Sequence, residues 1–129
     1  CLAAAALLIC GTQAADADES RTRPPEEGYV LPCSGCHGLS GEGVPGTTPT
    51  LHGIARLAST PAGRAYLASV PGVAQAPIGD AELARLLNWV LKTFSDATPV
   101  PPYSAIEIGT FRREPLRSTG AARAALAVP

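Results

Sequence analysis

Cys33-Ser34-Gly35-Cys36-His37 is the stretch on which the reading of this chain turns. Two thiols with two residues between them fall on one turn of helix, so both sulfurs lie on one side. The imidazole of the next residue projects beside them. Several chemistries use paired cysteines. A redox dithiol would follow a strand in a βαβ setting, and no β-rich run precedes Cys33. A zinc site would want a second ligand pair, and only His52 remains downstream. A structural disulfide is open to any exported chain. Cys-x-x-Cys-His, by contrast, is the attachment signature of c-type haem. Both sulfurs reach the vinyl groups on one porphyrin edge, and the histidine meets the iron as proximal ligand. The expectation is one covalent haem c, held by Cys33 and Cys36, with His37 on the iron.

Composition agrees with a small protein built around such a group. The chain has 129 residues, only 5% aromatics, and 13 each of Gly and Pro. A single domain of this size has a marginal core, and a large apolar plate would complete it. Net charge is −1 and basic residues do not cluster with aromatics, so nothing points to nucleic acid. No 18-residue apolar run spans a membrane.

Upstream of the motif, Cys1 to Ile9 is continuously apolar and too short for a membrane span, and small residues follow at Ala14, Ala15 and Ala17. Residues 1–17 read as the remnant of a secretory signal peptide that lacks its Met and charged start. Leu8-Ile9-Cys10-Gly11 faintly suggests a lipoprotein site, but Ile9 is bulky where such sites take a small residue. Cleavage would remove Cys1 and Cys10 and leave Cys33 and Cys36 free for thioether bonds. Residues 18–25 are polar and end in Pro24-Pro25, a disordered leader. Glu26 to Leu31 can form a short helix with acids in its first turn, broken at Pro32.

Downstream, Gly38 to Gly46 holds four glycines besides Pro45 and reads as a loop whose backbone passes close to a haem edge. A phosphate-cradling reading fails, because no Lys-Ser/Thr pair follows and no strand precedes. Thr48-Pro49-Thr50-Leu51-His52-Gly53 comes next. With this stretch the chain resembles the class I cytochrome c family over roughly residues 26–96. That family carries a Pro in a Gly-Pro-x-Leu-x-Gly loop after the haem-binding His. The resemblance implies that the Pro49 carbonyl accepts the imidazole N–H of His37, orienting the ring and raising its basicity. It also implies an all-α cytochrome c-like fold of about four to five short helices with long loops around the haem. The domain would span 26–100, with 101–129 as a C-terminal extension.

Local signals place the remaining helices. Ser59-Thr60-Pro61 starts a helix with a hydroxyl cap and Pro at its first position. It runs to Ser69, buries Ala65 and Tyr66, and ends at Val70-Pro71-Gly72. Val73 to Gly79 reads as loop. Asp80 is expected to cap the clearest helix, with Leu83, Leu86, Leu87, Val90, Leu91 and Phe94 at helical spacing. Trp89 lies at the edge of that stripe, a packing residue with its N–H at the rim. In the family such a last core helix crosses the N-terminal one. Ala97 to Pro102 reads as linker. Ser104 to Glu107 forms a capping box for a helix to about Arg113 that buries Ile108 and Phe111. Arg112, Arg113, Arg117 and Arg123 make this extension basic, while Asp16 to Pro32 is acidic. Such charges serve solvation or redox-partner docking. The tail after Thr119 is expected to fray.

One departure from the family bears on function. Its sixth iron ligand is a Met in the loop before the last core helix, here about Val70 to Gly79, and this chain contains no Met. His52 is the other imidazole, a weak candidate for the sixth position because the resemblance puts it on the surface of the proximal side. A vacant or water-filled position is the leading expectation; a terminal amine or Asn88 is a further alternative. Two function classes follow. The first is a periplasmic electron carrier serving a dehydrogenase or oxidase, not an enzyme. The second is an open-site haem protein that binds a diatomic ligand or peroxide. No distal His or Arg can be placed for peroxide cleavage, which needs acid–base help.

Overall fold

The computed structural model describes residues 23–96 and 99–126. The expected signal remnant, most of the expected leader, residues 97–98 of the expected linker and residues 127–129 of the tail lie outside the described residues. Among the described residues eight short helices follow in order: α1 Pro25–Val30, α2 Ser34–His37, α3 Ala55–Ala58, α4 Pro61–Ser69, α5 Pro71–Ala74, α6 Asp80–Thr93, α7 Ala105–Phe111 and α8 Thr119–Ala125. The only extended pairing among the described residues is one bridge between Val44 and Thr48. The fold is all-α, as expected, but more divided than four or five helices. α3 and α5 are single turns, too short to leave a hydrophobic period in the sequence.

The organising element is α6. Leu83, Leu86, Val90 and Leu91 are buried, and Leu87, Trp89 and Phe94 pack partly buried against the same core. α1 packs against α6. Tyr29 anchors that contact, 2% exposed. Its ring lies 5.5 Å from Trp89 and 5.3 Å from Phe94, and those two meet edge-on at 5.7 Å. Replacing a buried aromatic of this kind by Ala costs about 3–5 kcal/mol. Glu82 in the first turn and Lys92 in the last complement the helix dipole. Asp80 does not cap α6. The N-cap is Gly79 and has no side-chain bond. The Asp80 carboxylate instead accepts a 3.1 Å bond from Arg112, a partner 32 residues away that no local rule contains.

α4 matches its expected bounds. The Thr60 hydroxyl accepts from the Gly63 N–H at 3.0 Å, and Tyr66 is buried with Ala65 half-buried. Val70 ends α4 and also begins α5, so the expected loop at Val73 opens instead with a helical turn.

Residues 99–126 pack against the main body. Ile108 is fully buried and Tyr103 is 4% exposed, while Ile106, off the helical spacing, is 84% exposed. Ser104 caps α7 by accepting from the Glu107 N–H at 3.2 Å. Two arginines fasten this segment. Arg64 of α4 donates to both Glu107 oxygens at 2.7 Å and to the Pro101 carbonyl at 2.6 Å, with its guanidinium 4.1 Å from the Tyr103 ring centre. Arg112 of the segment reaches the other way, to the carbonyls of Ala74, Ala76 and Ile78 at 3.0, 2.6 and 2.8 Å. The region after Thr119, expected to fray, forms α8. Ser118 caps it by accepting from the Ala121 N–H at 3.3 Å, and Ala122 and Leu126 pack partly buried on the core.

Candidate haem-attachment site

The motif occupies a single helical turn. The Tyr29 carbonyl accepts the Cys33 N–H at 3.1 Å, and the Cys33 carbonyl in turn accepts from Cys36 and His37 at 3.2 and 3.0 Å. The chain then leaves the turn at Gly38, whose carbonyl takes a 2.6 Å bond from the Tyr29 hydroxyl. The residue that anchors α1 on α6 therefore also fixes where the motif sits.

Both cysteines are free thiols, Cys33 half-buried and Cys36 exposed. Burial, and secondarily the neighbouring Cys36, pushes the Cys33 thiol up to about 11. A redox dithiol attacks through a thiolate stabilised below the ordinary cysteine value, and Cys33 is shifted the other way. Addition of each sulfur to a carbon leaves no charge to bury and suits the same environment.

The imidazole of His37 is oriented from twelve residues away. Its Nδ1 lies 3.0 Å from the Pro49 carbonyl oxygen. A carbonyl only accepts, so Nδ1 carries the proton and Nε2 keeps its lone pair for a metal. The loop between the two residues is built to hold this bond. The Gly43 N–H donates to the His37 carbonyl at 2.9 Å, and Val44 and Thr48 exchange bonds across the isolated bridge. Gly43 has φ +70°, and a Cβ there would fall 2.7 Å from the Pro49 oxygen and into the Thr48 carbonyl. Gly43 approaches the Pro49 side of the loop, and Gly41 the Phe94 ring. The sequence marked the loop as glycine-rich without revealing which glycine guards the histidine's partner.

His52 lies on the same side, two lacing bonds further on. Thr50 donates its hydroxyl to the Gly41 carbonyl at 3.1 Å and accepts from the His52 N–H at 3.1 Å. The His52 ring is exposed, with Nε2 2.7 Å from the Ser40 carbonyl. The Asn88 side chain is spent on the backbone of Tyr103, donating at 3.0 Å and accepting at 2.7 Å.

Of five large hydrophobic side chains exposed among the described residues, four lie close to the motif in sequence: Val30, Leu31, Leu39 and Val44. Two thiols on one turn, an imidazole held through Nδ1, and exposed apolar side chains near them in sequence suit a covalently held haem. No helix among the described residues is long and apolar enough to cross a membrane.

The chain is similar to a cytochrome c-552 of Thermus thermophilus, 30% identical over 132 aligned positions that cover 85% of this chain and 84% of that protein. A second cytochrome c-552, also of Thermus thermophilus, is 31% identical over 106 positions, covering 65% of this chain and 81% of the relative. No family model matches the chain, and no solved structure matches it. With the thiol pair and oriented histidine already in place, this likeness identifies the chain as a member of the c-type cytochromes, electron-transfer proteins whose cofactor is a covalently bound haem c.

Proposed function

We propose that the protein is an exported, periplasmic cytochrome of class I type that passes single electrons to or from a dehydrogenase or oxidase. Cys33 and Cys36 hold the haem by thioether bonds, each sulfur adding across a vinyl double bond. His37 is the proximal ligand through Nε2. Pro49 orients it. The reading is carried by one observation, the 3.0 Å approach of Nδ1 to the Pro49 carbonyl beside two free thiols on the same turn. The bound haem supplies a one-electron couple whose potential the axial ligands tune. This chain's residues contribute its attachment, the tautomer of its proximal ligand, and exposed apolar side chains at Val30, Leu31, Leu39 and Val44 across which a redox partner can approach.

The sixth position is open or holds water. That reading rests on the absence of Met and on the contact of His52 Nε2 with the Ser40 carbonyl, which engages the second imidazole. The same open site supports an alternative role, binding a diatomic ligand. Spectra of oxidised and reduced holoprotein, with and without carbon monoxide, decide. The expected outcome is high-spin ferric features, ready carbon monoxide binding, and a His52→Ala spectrum unchanged from wild type. A low-spin wild type that His52→Ala converts to an open site would make His52 the sixth ligand. Haem released by acid–acetone extraction would refute covalent attachment.

A further inference from the structure

A groove of about 360 Å³ lies between α8 and the chain that runs from Thr50 into α3. Ile54, Leu57 and Leu126 supply apolar walls, and Arg56 and Arg123 are both among its lining residues. No lining residue is acidic. Among the described residues neither arginine forms a salt bridge with a protein carboxylate, whereas Arg64 and Arg112 each do. Two like charges brought to one concave surface repel, and a shared counter-anion offsets that cost. Guanidinium forks match the oxygens of phosphate in particular. His52 also lines the groove, but its Nε2 proton faces the Ser40 carbonyl, so the arginines are the donors.

We propose that this groove binds a polyvalent oxyanion of the phosphate class, between Arg56 and Arg123. The site has a route to the redox centre. Thr50, which lines it, directly follows Pro49, whose carbonyl holds His37. An anion bound here stabilises the ferric form, which carries one more positive charge, and so lowers the midpoint potential. By linkage, phosphate binds the oxidised protein more tightly by the same factor. This redox link rests on the haem reading given above; the binding itself does not.

The test uses holoprotein at ionic strength held constant with sodium chloride while inorganic phosphate is raised. Calorimetry should show saturable binding to wild type, at least tenfold weaker in both Arg56→Gln and Arg123→Gln. The midpoint should fall saturably in wild type and stay level in either variant; threefold tighter ferric binding would lower it by about 28 mV at 59 mV per tenfold for one electron. Absence of saturable binding, or equal binding in the two variants and wild type, overturns the site. Intact binding with an unmoved potential overturns the redox link alone. A potential shifted by Arg56→Gln yet indifferent to phosphate overturns the proposal as well, because the guanidinium would then be neutralising an anion already within the protein. A protein without covalent haem that still binds phosphate would sink the haem reading and leave the site standing.

Discussion

At the scale of single residues, the proximal histidine depends on a carbonyl and not on a side chain. Pro49→Ala retains the carbonyl and should change the haem spectrum little. His37→Ala should abolish the native spectrum. Gly43→Ala should be costlier than its small size suggests. Left-handed φ costs a non-glycine residue about 1–2 kcal/mol, and the new Cβ would press on the Thr48 and Pro49 carbonyls. Gly46 has nearly the same φ, +76°, but open space around it, so Gly46→Ala isolates the backbone cost. Denaturant midpoints should rank wild type, Gly46→Ala, then Gly43→Ala. Only Gly43→Ala should also move the midpoint potential, because only it disturbs the histidine's hydrogen bond.

At the scale of elements, α4 and α7 are joined by Arg64 and Glu107. The Arg64 hydrogen bonds hold the Glu107 carboxyl below its ordinary range. A depressed carboxylate contributes stability that is complete above the unfolded-chain value and is lost as pH falls through the lower folded value. Wild type should therefore lose this contribution on acidification, and Glu107→Gln should lack that part of the pH dependence while being less stable at neutral pH. Urea unfolding of both proteins at a series of pH values checks the slope. The pair is partly solvated, so its magnitude is that of a modest interaction. Arg112 offers a sharper loss. Arg112→Ala removes bonds to three carbonyls of the 74–78 segment and to Asp80, and thermal unfolding should show about 2–3 kcal/mol of destabilisation.

At the scale of the whole molecule, the segment after residue 98 is a structural wall. Tyr103 and Ile108 fill the core beside α6, and the Tyr103 hydroxyl donates to the Arg64 carbonyl at 2.9 Å. A chain truncated after Asp96 would expose that core and leave the Arg64 guanidinium without its carboxylate. It should express poorly or unfold at much lower denaturant, even with Cys33, Cys36, His37 and Pro49 all present. A truncated holoprotein as stable as full-length would show the segment to be dispensable. The core needs this wall because a chain with 5% aromatics has few large side chains with which to bury area.

The sequence by itself determined whatever local physics controls. The Cys-x-x-Cys-His spacing announced its chemistry, whereas the bond between the Pro49 carbonyl and His37, twelve positions apart, was expected only from the family resemblance. α4 was legible from its hydroxyl cap and first-turn proline, and α6 from the period of its apolar stripe. Those features are set by neighbours one to four residues apart. What tertiary structure alone decided joins distant residues. Asp80 answers to Arg112 and not to its own helix end, and Glu107 reaches Arg64 across 43 positions. Gly43 matters because the loop folds Pro49 back onto it. Arg56 and Arg123 line one groove only because α8 forms and packs beside α3. A hydrogen bond between residues far apart leaves no period and no cap in the sequence, so packing alone selects its partner.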